Sequence, residues 1–181
     1  MMSPRAKLLA VIAIGVAPII ASYVVYFAMQ GSAPWLSTNN GQLLNPAPTT
    51  TDLGWVAAKD PTRAMPLGDA HWWLLVATSE TCDADCEHAV VQLRQLHVLL
   101  NRDQSRVRRA LLFRRGVDAA SVDTFDARYP KLELLVGDES LAAGVYVIDP
   151  HGNVILHYPY ADAGKPVLQD LQKLLKASQI G

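Results

Sequence analysis

Cysteine is scarce in this chain. Two in 181 residues are too few for a disulfide-dense scaffold or a zinc ribbon. Neither sign of charge dominates: 16 Lys and Arg stand against 17 Asp and Glu, which leaves no electrostatic footprint for nucleic acid. Aromatic residues make up only 7%, and no segment is repeated or low in complexity. The sequence shows no phosphate-cradling glycine loop, no nucleophile–base triad and no paired catalytic carboxylates. What it does have is apolar bulk. Half of the residues are hydrophobic and 18% are charged, which excludes wholesale disorder and suits one ordinary domain with appendages.

The apolar residues are unevenly spread. Leu8 to Met29 contains no charged side chain. As a helix this run is about 33 Å long, enough for a hydrocarbon core of about 30 Å, and Pro18 inside it is tolerated in a membrane helix. Arg5 and Lys7 precede it, and the next basic residue is Lys59. The positive-inside rule therefore places residues 1–7 in the cytoplasm, a transmembrane anchor at 8–29, and all that follows on the far side. Tyr23, Tyr26, Phe27 and Trp35 are expected near the outer interface. The competing reading is a cleaved signal peptide. The run is too long for one, and the small-residue site Gly31-Ser32-Ala33 is followed by Pro34. Setting aside Arg5 and Lys7 leaves 14 basic against 17 acidic residues, so the exported part is mildly acidic.

Residues 30–70 are rich in Pro, Asn, Thr and Gly with no sustained period, and read as an extended tether. Leu43, Leu44, Leu53, Trp55 and Val56 are its apolar docking points, expected simply to pack. From residue 71 a folded domain follows. Trp72 to Ala77 predicts a buried strand, Thr78 to Thr81 a turn with capping hydroxyls, and 83–101 a helix. Cys82, Cys86, Ala89, Leu93, Leu96 and Leu100 share one helix face. Further strands are predicted at 107–113 and 132–136, with a polar helix or loop at 117–128 between them. A hairpin at 145–158 turns on Asp149-Pro150-His151-Gly152-Asn153, and a last helix covers 166–177. The fold class is α/β. The order strand, helix, strand, helix, strand, strand, helix is that of a thioredoxin-like domain, with a mixed central sheet, flanking helices and a C-terminal β-hairpin.

Cys82 and Cys86 fall where the first strand of that domain turns into its first helix. Unpaired N–H groups and the dipole at a helix start stabilise a thiolate. Four-residue spacing brings both sulfurs to one face, where they can form a disulfide or grip a soft cation such as Cu(I). A purely structural disulfide, or two small buried apolar residues, fits the same spacing. Glu80, Asp83, Asp85 and Glu87 oppose thiolate formation, and no Lys or Arg lies within five residues of either cysteine. That predicts a less activated thiol and a field that welcomes a cation. His88, His97, His151, His157 and Met65 are weak ligand candidates, each expected to pack or face solvent. Arg106, Arg108, Arg109, Arg114 and Arg115 form a basic cluster in sequence, a solvated edge or a docking point for an acidic partner.

Taken together, several segments resemble the membrane-anchored, thioredoxin-like proteins related to the Sco/SenC family. They are the apolar anchor, Asn40-Gly41-Gln42-Leu43-Leu44 with Pro46, Cys82-Asp83-Ala84-Asp85-Cys86, Arg106-Val107-Arg108-Arg109, Tyr146 to Asn153, and Leu171 to Ser178. The resemblance implies a thioredoxin fold facing the periplasm from the bacterial inner membrane. It also implies a role in cytochrome c oxidase biogenesis, with an oxidase subunit or assembly factor as partner. In that role Cys82 and Cys86 would act as a thiol/disulfide pair or carry Cu(I). The family's third copper ligand is a histidine a few residues before the strand matching Tyr146. Here Ser140 to Val145 contains none. The proline that thioredoxins proper carry before this strand, and their Cys-x-x-Cys, are also missing.

Overall fold

The computed structural model describes residues 3–29, 38–138 and 141–178. It divides into two compact units, 1–38 and 39–181. The first holds helix α1 (Pro4–Met29), which continues through Pro18, with the Ser22 hydroxyl donating to the Pro18 carbonyl at 2.8 Å. Among the described residues no helix is long and apolar enough to cross a membrane. The described side chains of the apolar run extend from Ile12 to Phe27 and are all exposed. The transmembrane span expected over 8–29 thus finds no support in the described residues of this helix. Trp35 and the Gly31–Pro34 stretch lie outside the described residues.

The second unit is built on an eight-stranded sheet. Its strands are β1 (Gln42–Leu43), β2 (Val56–Ala57), β3 (Asp60–Ala64), β4 (Trp72–Ala77), β5 (Val107–Arg114), β6 (Glu133–Gly137), β7 (Gly144–Ile148) and β8 (Val154–Tyr158), in the order β1-β8-β7-β4-β5-β6-β2-β3. β4 is buried along its whole length because it is central, parallel to β5 on one side and antiparallel to β7 on the other. A strand covered on both faces reads as a continuous apolar run, as Trp72 to Ala77 does. The β7–β8 hairpin closes as expected. Asp149 Oδ1 accepts the backbone N–H groups of His151 and Asn153, and Gly152 supplies the positive φ of +89°.

Helices α2 (Ala84–Leu99), α3 (Ala119–Arg128) and α4 (Lys165–Ala177) bury their apolar residues in one core with Leu74, Val76, Leu111, Phe113, Val145 and Val147. Asp118 caps α3 by accepting from Ser121 N–H. Pro166 suits the first turn of α4. The opposite sheet face carries Trp73, Leu75, Leu112, Tyr146 and Ile148 and is covered by Trp55 and Leu67, with Leu44, Leu53 and Met65 packed around them.

The segment expected as a tether thus departs from that reading. Three of its stretches are strands, and the compact unit begins at Asn39. Two-residue strands are too short to show a period, so their pairing comes from the sheet edges they complete. Trp55 is 1% exposed and packs as expected, as does Met65, whereas Leu43 is exposed. The buried carboxylate of Asp170 on α4 fastens the entry to this segment. It accepts from Asn40 N–H at 2.5 Å, Gly41 N–H at 3.0 Å, Asn40 Nδ2 at 2.9 Å and the Tyr158 hydroxyl at 2.9 Å.

Candidate functional site

The polypeptide leaves the sheet at Ala77 and re-enters regular structure at α2. Cys82 and Cys86 sit in that passage and are joined by a disulfide, with Cα atoms 5.2 Å apart. Asp83 is the N-cap. It has extended backbone and its side chain accepts the Cys86 N–H at 2.9 Å. The capping group is therefore Asp83, not the hydroxyls of Thr78 to Thr81. Cys82 precedes the cap and is not a helix-face residue, while Cys86 lies in the first turn and is fully buried. Cys82 is half-buried, packed against the edge of the same core. The pair is asymmetric: Cys82 is half-buried and Cys86 fully buried.

The electrostatics follow from what surrounds the cap. Asp83 and Asp85 are exposed at the helix start. Glu87 is engaged elsewhere, accepting from the Arg128 guanidinium and, at 3.2 Å, from the Tyr129 hydroxyl. A cavity of about 330 Å³ beside the loop is lined by Glu80, Thr81 and the turn Arg114 to Asp118. Two arginines that are remote in sequence thus approach the passage before Cys82, Arg115 already paired with Asp138 at 2.7 Å.

Tyr160 is part of this neighbourhood and carries no signal in the sequence. Its hydroxyl donates to Ala77 O, the last residue of β4, at 2.5 Å. Burial, and then the charges of Asp83 and Tyr146, push its pKa up to about 12, with Asp85 adding to the effect. Tyr160 therefore stays a neutral donor at any physiological pH and braces the strand end from which the cysteine loop departs.

The remaining candidates lie apart from the disulfide. His88 is exposed and shares a hydrogen bond with Gln92. His97 Nε2 lies 2.8 Å from the Val107 carbonyl oxygen. His151 is in the exposed hairpin turn. His157 packs at a tilt against Tyr146, on the sheet face away from the helices, with ring centres 4.7 Å apart. Among the described residues no group of three or more His, Cys, Asp or Glu could hold a metal ion. A reduced Cys82/Cys86 pair would offer Cu(I) two thiolates and no third side-chain donor from this set. The basic run around β5 is no cluster in space. Arg106 holds Asp103, the α4 carbonyl of Leu175 and the carbonyl of the cap residue Ser178. Arg108 lies over the Trp73 ring on one sheet face, and Arg109 is buried on the other.

A cysteine pair between the central strand and the following helix, on a sheet whose inner order is β5-β4-β7-β8, defines a thioredoxin-like protein. The chain belongs to the family described as transmembrane-like, thioredoxin-like, C-terminal domain, whose model matches residues 72–178. Among solved structures it is similar to an uncharacterised thioredoxin-like protein from Porphyromonas gingivalis, at 12% identity and a TM-score of 0.53, covering 76% of this chain and 97% of that one. It is also similar to peroxiredoxin Q of Xanthomonas campestris, at 13% identity and 0.49, covering 76% and 99%. Copper-bound ScoI of Bradyrhizobium japonicum matches at 13% identity and 0.49, covering 74% and 98%. No curated protein matches the sequence. At these identities the solved structures speak for the fold alone.

Proposed function

We propose that the chain is a membrane-tethered periplasmic thiol–disulfide protein serving cytochrome c oxidase biogenesis through Cys82 and Cys86. One observation carries the chemical part: the two sulfurs are bonded at the strand-to-helix junction, Cys82 partly open to solvent and Cys86 fully buried. In the reduced protein the Cys82 thiolate attacks one sulfur of a partner disulfide. A mixed disulfide forms, and the partner's other sulfur leaves and takes up a proton. Cys86, deprotonated in turn, attacks Cys82 Sγ. That releases the second partner sulfur as a thiol and leaves the Cys82–Cys86 disulfide. Two electrons pass to the partner, and a dithiol donor outside the membrane returns them. The anchor rests on the uncharged run Leu8 to Met29 and the basic residues before it. The oxidase role rests on the resemblance to Sco/SenC-related proteins.

The Cu(I)-carrier reading uses the same cysteines and needs a donor from the partner. Both readings are tested on full-length protein in membranes. Cys86→Ser should accumulate a mixed disulfide through Cys82, and Cys82→Ser should not. Cells carrying either variant should lose oxidase activity. Intact oxidase activity in both variants would remove both chemical roles and leave a structural staple. Stoichiometric Cu(I) retention by the reduced protein, abolished in Cys82→Ser, would favour the carrier.

A further inference from the structure

β5 alternates between two faces. Val107, Leu111 and Phe113 point into the core beneath the helices, and the residue between them on that face is Arg109. An arginine thus occupies a core position, 7% exposed. Its Nη1 is buried without a hydrogen-bond partner. Arg109 lines a cavity of about 490 Å³ beneath α2 and the end of α3, whose walls also include Arg94, Tyr129 and Lys131. Arg94 and Lys131 are exposed at the rim, and Arg128 lines the same cavity while paired with Glu87. Glu133 borders an adjoining depression with Arg109 and Lys131. Positive charge exceeds negative around the hollow. A buried guanidinium facing other cations is costly unless an anion joins it. Burial, and then the charge of Arg94, pull the Arg109 pKa below its usual value.

We propose that this cavity is a binding site for a small polyvalent oxyanion, a phosphate ester or a short polycarboxylate, gripped by Arg109 from below and by Arg94 and Lys131 at the rim. Planar guanidinium groups suit both anion types through paired N–H donors. The volume suits a metabolite-sized ligand, and the walls of Val98, Tyr129 and Pro130 offer it apolar contact. The site lies apart from the disulfide and does not depend on the redox proposal.

The test is calorimetric titration of the purified full-length protein with inorganic phosphate, pyrophosphate and citrate, against potassium chloride at equal ionic strength. Saturable one-to-one binding of at least one polyvalent anion is expected, and which anion binds separates phosphate from carboxylate ligands. Arg109→Met should weaken it at least about tenfold and Arg94→Gln severalfold, whereas Lys165→Gln, outside the cavity, should not. In anion-free buffer Arg109→Met should melt no lower than the parent, because it removes an unpaired buried charge. If it fails to fold, Arg94→Gln and Lys131→Gln carry the test. No saturable binding of any of the three anions, or binding unchanged in the cavity variants that fold, overturns the proposal.

Discussion

Asp170→Ala should release the start of the folded unit from helix α4. The carboxylate is 2% exposed and accepts from two backbone N–H groups, Asn40 and Gly41, and from the Tyr158 hydroxyl. Removing it orphans three donors in a closed setting, each costing about 1–3 kcal/mol before water repairs part of the loss. A net destabilisation of about 3–5 kcal/mol is expected, a large share of a typical domain's stability. Asp170→Asn keeps one acceptor oxygen and should cost about half as much. Urea unfolding of the full-length protein, followed by tryptophan fluorescence, measures both. The pH dependence carries a further signature. Burial raises the Asp170 pKa, but the hydrogen bonds it accepts from Gly41, Tyr158 and Asn40 outweigh that and hold it below the usual carboxylate value. A depressed folded pKa stabilises above the unfolded pKa of about 3.9, and the benefit fades as pH falls through the folded value. The gap between parent and Asp170→Asn should therefore be level near neutrality and shrink only in acid below about pH 4. A loss under about 1 kcal/mol for Asp170→Ala at neutral pH would refute the reasoning.

Other outcomes follow from the same contacts. A Cβ at Gly41 would collide with the Tyr158 ring, so Gly41→Ala should cost about 1–3 kcal/mol by denaturant titration. Reducing the disulfide opens a loop of sequence separation four, and should lower stability by about 2 kcal/mol on chain-entropy grounds, read from unfolding with and without dithiothreitol. Asp85→Asn removes a negative charge three residues from Cys82, and should speed iodoacetamide labelling of the reduced thiol about two- to threefold near neutral pH.

Wherever the chain builds its own period, the fold was legible in the sequence. The continuous apolar run of β4, the heptad-like face of α2, the Asp149–Asn153 turn and the last helix all appear where their patterns place them. Features that depend on distant partners left no such trace. β1 and β2 are two residues each and exist because β8 and β6 offer open edges. Asp170 interrupts the apolar face of α4 as an ordinary helix carboxylate would, and its role needs Asn40 and Gly41 from 130 residues away in the chain. The cysteine pair was visible from spacing. Its asymmetry was not, because one residue decides it: Asp83 takes the cap, leaving Cys82 outside the helix and Cys86 within. Tyr160 and the buried Arg109 gave no local sign either. The former is defined by its contact with Ala77, the latter by the helices that close over β5.

The central claim is that the Cys82–Cys86 bond is made and broken in function. The reduction potential of the full-length protein, equilibrated in graded dithiol buffers and read by alkylation of the two cysteines, tests it directly. An exchangeable pair should titrate above about −300 mV, within reach of cellular thiol systems. A value well below that would mark the bond as a permanent staple and contradict the account.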